Sequence, residues 1–109
     1  MEQEMSPEAL VLVAERFKVL AEPIRLKLIN LLRDGELTVN ELTARCSTSQ
    51  PNISKHLKVL TEAGVLQRDQ RGNTVFYSIA DQGIFELCDL VCDSLNERLK
   101  AQAKIFAYN

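Results

Sequence analysis

The stretch Thr48-Ser49-Gln50-Pro51-Asn52-Ile53-Ser54-Lys55-His56-Leu57-Lys58 crowds short polar and basic side chains together. The amides of Gln50 and Asn52 can make paired hydrogen bonds to an adenine edge, and Lys55 and Lys58 can meet phosphates. Ser49 and Ser54 suit either part, and Thr48 and His56 complete the outer positions of such a helix. Any solvated helix face offers similar residues, so this set decides little by itself. Farther along, Arg68 and Arg71 flank a turn with Asn73 at its tip, where they can lie along phosphates or reach a minor groove. A second chemistry is sulfur: Cys46, Cys88 and Cys92. His56 is the only histidine. It has no His, Cys or carboxylate cluster around it at ligand spacing, so it reads as a residue that faces nucleic acid or caps a local hydrogen bond.

Helical punctuation accounts for the elements that must hold these residues. Ser6-Pro7-Glu8 supplies an N-cap, a proline at the first helical position and an acid in the first turn. Leu10, Val13, Phe17 and Leu20 follow at helical spacing. Glu22-Pro23 starts a second helix with Ile24, Leu28, Ile29, Leu31 and Leu32 as its apolar stripe and Gly35 as a left-handed C-cap. Thr38-Val39-Asn40-Glu41 is a capping box for a short third helix that carries Leu42 inward and ends near Cys46. Ser49 caps a fourth helix, whose buried face is marked by Ile53, Leu57 and Leu60 and which Gly64 closes. The period then drops to about 2 over residues 65–71 and 74–80, with Gly72-Asn73 as a tight hairpin turn. Asp81 caps a long last helix with Ile84, Leu87, Val91 and Leu95 along one face. The expected fold is mainly α with a β-hairpin, in the order ααααββα. It forms one domain over 1–109, with a helix-turn-helix at about 38–64, a wing at about 65–80 and a last helix at about 81–104.

Composition narrows the function classes. The 109 residues are 46% apolar and 26% charged with net charge −2, which fits a globular chain rather than a disordered one. No stretch reaches the roughly 20 apolar residues of a membrane span. Met1-Glu2-Gln3-Glu4-Met5 lacks the basic and apolar regions of a secretory signal. Three cysteines do not make a disulfide scaffold, so the expected compartment is the reducing cytoplasm. A pI near 5.4 argues against a nucleic-acid binder until the charge is divided along the chain. Residues 1–44 carry −3 and residues 72–109 carry −2, whereas residues 45–71 hold Arg45, Lys55, Lys58, Arg68 and Arg71 against Glu62 and Asp69, a local +3. The positive charge coincides with the polar helix and the hairpin, where an electrostatic footprint is needed. Little here supports an enzyme: there is no Gly-rich phosphate loop and no paired carboxylates in a polar setting.

Several motifs stand together in one order. Leu20-Ala21-Glu22-Pro23-Ile24-Arg25-Leu26 precedes Glu41-Leu42 and then Ser49-Gln50-Pro51-Asn52-Ile53-Ser54-Lys55-His56-Leu57. Leu60, Ala63-Gly64-Val65-Leu66, Arg71-Gly72-Asn73 and Tyr77-Ser78-Ile79 continue the series. Over residues 20–80 the chain resembles the ArsR/SmtB-type winged helix-turn-helix repressors of bacteria. The resemblance implies a homodimer through the first and last helices, bound to double-stranded operator DNA and released by an inducer. A protein–protein adaptor with the same fold is the rival, and the basic stretch speaks against it.

In such repressors the inducer is usually a metal, a metalloid or an oxidant. The family's arsenical-type cysteine pair would fall on Thr43 and Arg45, so that site is absent, and its zinc-type site lacks a histidine on the last helix. Cys88 and Cys92 lie one helical turn apart. Two thiolates at this spacing suit As(III), Cd(II) or Cu(I), completed by Cys46 or by a partner-subunit cysteine. They equally suit a thiol switch responding to oxidant or reactive sulfur, with a bridge from Cys46 easier than one along the helix. The other reading is inert packing: Cys46 stands where the family commonly has an apolar anchor, Cys88 adjoins the apolar stripe, and free cysteine is often buried as a small hydrophobe.

Overall fold

A computed structural model describes residues 4–105, and side chains through residue 102. Met1-Glu2-Gln3, part of the stretch read as lacking a signal, lies outside the described residues. Helix α1 (Pro7–Leu20) begins where the Ser6 hydroxyl accepts from the Ala9 amide. Helix α2 (Pro23–Leu31) passes into a 3-10 turn, Leu32–Asp34. Helix α3 (Val39–Ala44) carries a complete capping box: the Glu41 amide donates to Thr38 Oγ1, and the Thr38 amide donates to Glu41 Oε1. These bonds hold the Glu41 carboxyl below its ordinary range, the Thr38 backbone bond contributing most. Helix α4 (Gln50–Glu62) starts on Ser49, whose hydroxyl accepts from the Asn52 amide. Strands β2 (Leu66–Arg71) and β3 (Thr74–Ile79) form the hairpin, and α5 (Gly83–Ile105) completes the order. Asp81 Oδ1 accepts from the Gly83 amide at its start.

Two differences from the sequence reading concern backbone. A two-residue strand, β1 (Leu37–Thr38), pairs antiparallel with β3, so the hairpin is part of a three-stranded sheet in the order β1-β3-β2. Gly35 does turn the chain at positive φ, but at φ 140 and ψ −179 it occupies a region essentially confined to glycine, not the left-handed helical cap. That extended geometry feeds the chain straight into β1. Gly72, at φ 61, makes the tight β2–β3 turn.

The core is small and lies where α2, α3, α4 and the sheet converge: Leu28, Ile29, Leu32, Leu42, Ile53, Leu57, Leu60, Val65 and Leu66 are buried, joined by Leu20, Ile79 and Ile84. On α4 the buried positions 53, 56, 57 and 60 follow i, i+3, i+4, i+7, so Ser54, Lys55 and Lys58 are left exposed on the far side. In contrast, α1 exposes Leu10, Leu12, Val13 and Phe17, and α5 exposes Leu90, Val91, Leu95 and Leu99. Single exposed apolar residues are ordinary, but two helices carrying such stripes have faces still to cover. Leu57, with no exposed surface, anchors α4 at the centre of the core. Leu57→Ala is expected to lower unfolding free energy by about 2–5 kcal/mol in urea denaturation, and a loss under about 1 kcal/mol would show that α4 is held by something else.

Candidate nucleic-acid interface

Beginning at α4, the structure sorts the polar residues of the middle stretch by the helical period. Ser49, Gln50, Ser54, Lys55 and Lys58 are exposed, with the Ser49 hydroxyl occupied as the cap. Thr48 and Asn52 are half-buried and joined to each other: Asn52 Nδ2 donates to Thr48 Oγ1 at 3.1 Å. This bond fixes the orientation of the Asn52 amide and leaves its carbonyl oxygen and second N–H. These residues form one polar surface along the outer side of α4, from its N-terminus to Lys58.

His56 does not belong to that surface. It is 6% exposed, on the inner face of α4 beside Leu57. Its Nδ1 accepts from Arg25 Nε of α2 at 3.1 Å, so the bond is long-range rather than a local cap. Burial, with Arg25 and Lys55 nearby, pushes its pKa down, and Glu22 opposes this weakly. Placing His56 among outward residues is therefore corrected: at three past Ile53 and four before Leu60 it must face inward.

Arg71 is also differently employed. Both terminal nitrogens of its guanidinium donate to the Glu36 carboxylate, which precedes β1, and Nε donates to Asp69 Oδ2 at 2.8 Å. The guanidinium lies 4.2 Å from the centroid of the Phe76 ring. Hydrogen bonds to Glu36 and then to Asp69 hold its pKa further above the ordinary range. Arg71 is thus a clasp between the β1 entry and the wing, with its donors directed at protein carboxylates. Arg68 and Asn73 are exposed on the hairpin. Of the two aromatics on β3, Tyr77 packs on the core while Phe76 lies under Arg71.

Another arginine ties the end of α4 to its surroundings. Arg16 of α1 donates to Asp81 Oδ2 at 3.0 Å and to the Ala63 carbonyl at 2.9 Å. One side chain therefore joins α1, the C-terminal end of α4 and the start of α5. Nothing in the sequence near Arg16 signals this, because its partners lie 65 and 47 residues away.

All three cysteines are free thiols. Cys46 is half-buried against the core after α3. Cys88 and Cys92 instead line a groove of about 690 Å³ between α5, α2 and the end of α1, together with Phe17, Leu26, Val91 and Leu95. Arg33 lies across α2 and α5, 4.4 Å from the Phe85 ring centroid and 3.3 Å from Asp89 Oδ1. Burial first, then Cys92, pushes the Cys88 thiol up, with Arg33 pulling the other way. Among the described residues no three His, Cys, Asp or Glu side chains gather as a metal-holding group. One protomer thus offers two neighbouring thiols on α5 and does not complete a site with Cys46. Among the described residues no helix is long and apolar enough to cross a membrane.

Two helices joined through a polar turn, one of them with a polar outer face, followed by a hairpin wing, define a winged helix-turn-helix domain. Residues 22–68 match the family model described as bacterial regulatory protein, arsR family. The chain belongs to this ArsR family of transcriptional regulators. It is 33% identical over 100 residues to a transcriptional repressor SmtB homolog of Synechocystis, covering 87% of this chain and 76% of the relative. Matched segments span from 50% to 89% of the length of curated relatives. Among solved structures, Rv0081 of M. tuberculosis superposes with a TM-score of 0.81 at 34% identity, covering 91% of this chain and 99% of that one. The winged helix-turn-helix DNA-binding domain Mb0332 of Mycobacterium bovis, described as homodimeric, superposes with a TM-score of 0.74 at 28% identity, covering 91% and 94%.

The Arg71 clasp carries a direct test. Arg71→Ala is expected to speed amide hydrogen exchange across residues 66–71 and 74–79 while α4 keeps its protection. Unchanged wing exchange would show that the clasp does not hold the hairpin.

Proposed function

We propose that this chain represses transcription by binding a pseudo-palindromic operator as a two-fold dimer, with α4 in the major groove and the wing on the flanking backbone. The observation that carries the reading is the division of α4. Ile53, Leu57 and Leu60 are locked in the core, so the exposed Gln50, Ser54, Lys55 and Lys58 form a fixed surface. In this reading Gln50 and Asn52 face base edges, Thr48, Ser49 and Ser54 contribute hydroxyls, and Lys55 and Lys58 meet phosphates. Arg68 and Asn73 extend the contact along the wing. One such head makes few phosphate contacts, so two heads on one symmetric site are needed for useful affinity. The uncovered stripes of α1 and α5 supply the dimer seam, and the description of the Mb0332 domain as homodimeric supports a dimer. A regulator bound to bacterial DNA acts in the cytoplasm.

For the inducer, the reading is a thiol-directed species acting on Cys88 and Cys92. Their place in the groove between α5, α2 and α1 supports it, because a change there bears on the proposed dimer seam and thus on the spacing of the two reading heads. A soft ion such as As(III) would find two thiols one turn apart and need a further donor from the partner subunit. Oxidant or reactive sulfur would act on the same pair. A second reading, inert thiols with another inducer or none, is favoured by the packing of Cys46 on the core and by the burial that pushes the Cys88 thiol pKa up.

Titrating the protein with its own upstream DNA in a mobility-shift assay tests the first half. Lys55→Ala removes one phosphate contact from each of the two heads and is expected to flatten the slope of log affinity against log salt by about two units. Arg71→Ala should leave the slope nearly unchanged, because Glu36 and Asp69 already neutralise that charge. Binding without sequence preference or salt dependence would contradict the operator reading. For the inducer, DNA release is compared across As(III), Cd(II), Zn(II), peroxide and polysulfide, with and without reductant. Cys88→Ser and Cys92→Ser should still bind DNA but lose the response. If both respond as wild type, the thiols are packing residues.

A further inference from the structure

We propose that Arg25 and His56 are a positioning pair for the reading helix, and that operator binding requires the His56 imidazole neutral with Nδ1 unprotonated. The proposal rests on the DNA-binding reading above and adds to it a residue that touches no DNA. Among the described residues His56 is the one buried polar or charged side chain in an otherwise apolar core. Its neighbours on the inner face of α4, Ile53, Leu57 and Leu60, are apolar and hold the helix by packing alone. A hydrogen bond is directional, so the Arg25–His56 contact adds to that packing an angular constraint on the rotation and height of α4.

The chemistry sets the tautomer. Arginine has N–H donors only and stays charged, so the nitrogen facing Arg25 Nε must be an acceptor. Nδ1 therefore carries the lone pair and Nε2 the proton. Arg25 is itself rooted, because one terminal nitrogen donates to the Val19 carbonyl at 3.1 Å near the end of α1. The pair thus links the middle of α4 to the corner between α1 and α2. Three charged groups bear on the imidazole: Arg25 and Glu22 from the start of α2, and Lys55 from α4 itself. Two are cations and one is an anion. Protonating Nδ1 would replace the acceptor by a donor facing a donor, and add a cation beside Arg25 and Lys55. The helix must then shift or the contact must open. Either motion displaces Ser54, Lys55 and Lys58, which sit on the same short helix.

The sign follows directly. The imidazole is held below its ordinary value of 6.5, so the contact is intact above that value and is lost as pH falls through the lowered one. Operator affinity of the full-length wild type should therefore fall, at constant ionic strength, as pH is lowered from neutrality to values below the ordinary 6.5. His56→Asn places a carbonyl oxygen near the Nδ1 position and cannot titrate. It is expected to bind within a few-fold of wild type and to lose the acid sensitivity. His56→Leu and Arg25→Gln should each weaken binding about tenfold or more, and the double variant no further than the single ones. Imidazole nitrogen shifts of the free wild-type protein provide a readout independent of any variant's folding, and should show the neutral Nε2–H tautomer at neutral pH. An Nδ1–H tautomer, or an acid profile identical in wild type and His56→Asn, overturns the proposal. Wild-type binding with unaffected Arg25→Gln and His56→Leu overturns it while sparing the DNA reading. Failure of the wild type to bind any duplex overturns both.

Discussion

In the proposed function one thirteen-residue helix is a core element and a reading surface at once, and most of the structure bears on that double duty. Ile53, Leu57 and Leu60 have no exposed surface, while residues on the opposite side of the same helix reach solvent. A helix buried on one face is stiff, and a stiff helix can present side chains in register with base edges. The surroundings serve this end. Ser49 caps the start of the helix, a capping box fixes the start of the neighbouring α3, and Gly64 releases the chain into β2. Arg25 holds the middle of α4 through His56, and Arg16 holds its far end through the Ala63 carbonyl.

Charge obeys the same local logic. A net −2 is a poor guide, because it averages acidic flanks with a basic middle. The local +3 is itself only a first approximation, since sequence counts charges and not their partners. Arg71 spends its donors on Glu36 and Asp69, which lie beside it in the folded wing. Such exposed pairs add little stability each, but they neutralise the cation and give the hairpin a fixed attachment to β1. With Arg71 engaged, the cations of this stretch left for phosphates in the proposed complex are Arg45, Lys55, Lys58 and Arg68. That redistribution shifts the expected electrostatic contact from the tip of the wing toward the reading helix.

How legible the molecule was depends on the range of the interaction. Caps and periodicity are local, so Ser6, Thr38 and Ser49 marked three helix starts and Gly72 marked the turn. Strand β1 was not legible: two residues carry no period, and only pairing with β3, some 40 residues on, makes them a strand. His56 was misread although its signal was present. The spacing 53, 56, 57, 60 is a buried helical face, but the polar type of the side chain drew it outward. The clasp of Arg71 and the links of Arg16 join residues distant in sequence, and no local pattern encodes them. For the cysteines the spacing showed that Cys88 and Cys92 share a face, whereas the separate placement of Cys46 needed the folded chain.

The central claim is that α4 and the wing are the face that meets DNA. Backbone amide shifts of the protein on adding its upstream duplex test it most directly. The expected result is perturbation concentrated in residues 48–58 and around residues 68–73, with the inner core unmoved. Shifts confined to α1 and α5, with Gln50, Ser54, Lys55 and Lys58 unaffected, would contradict it.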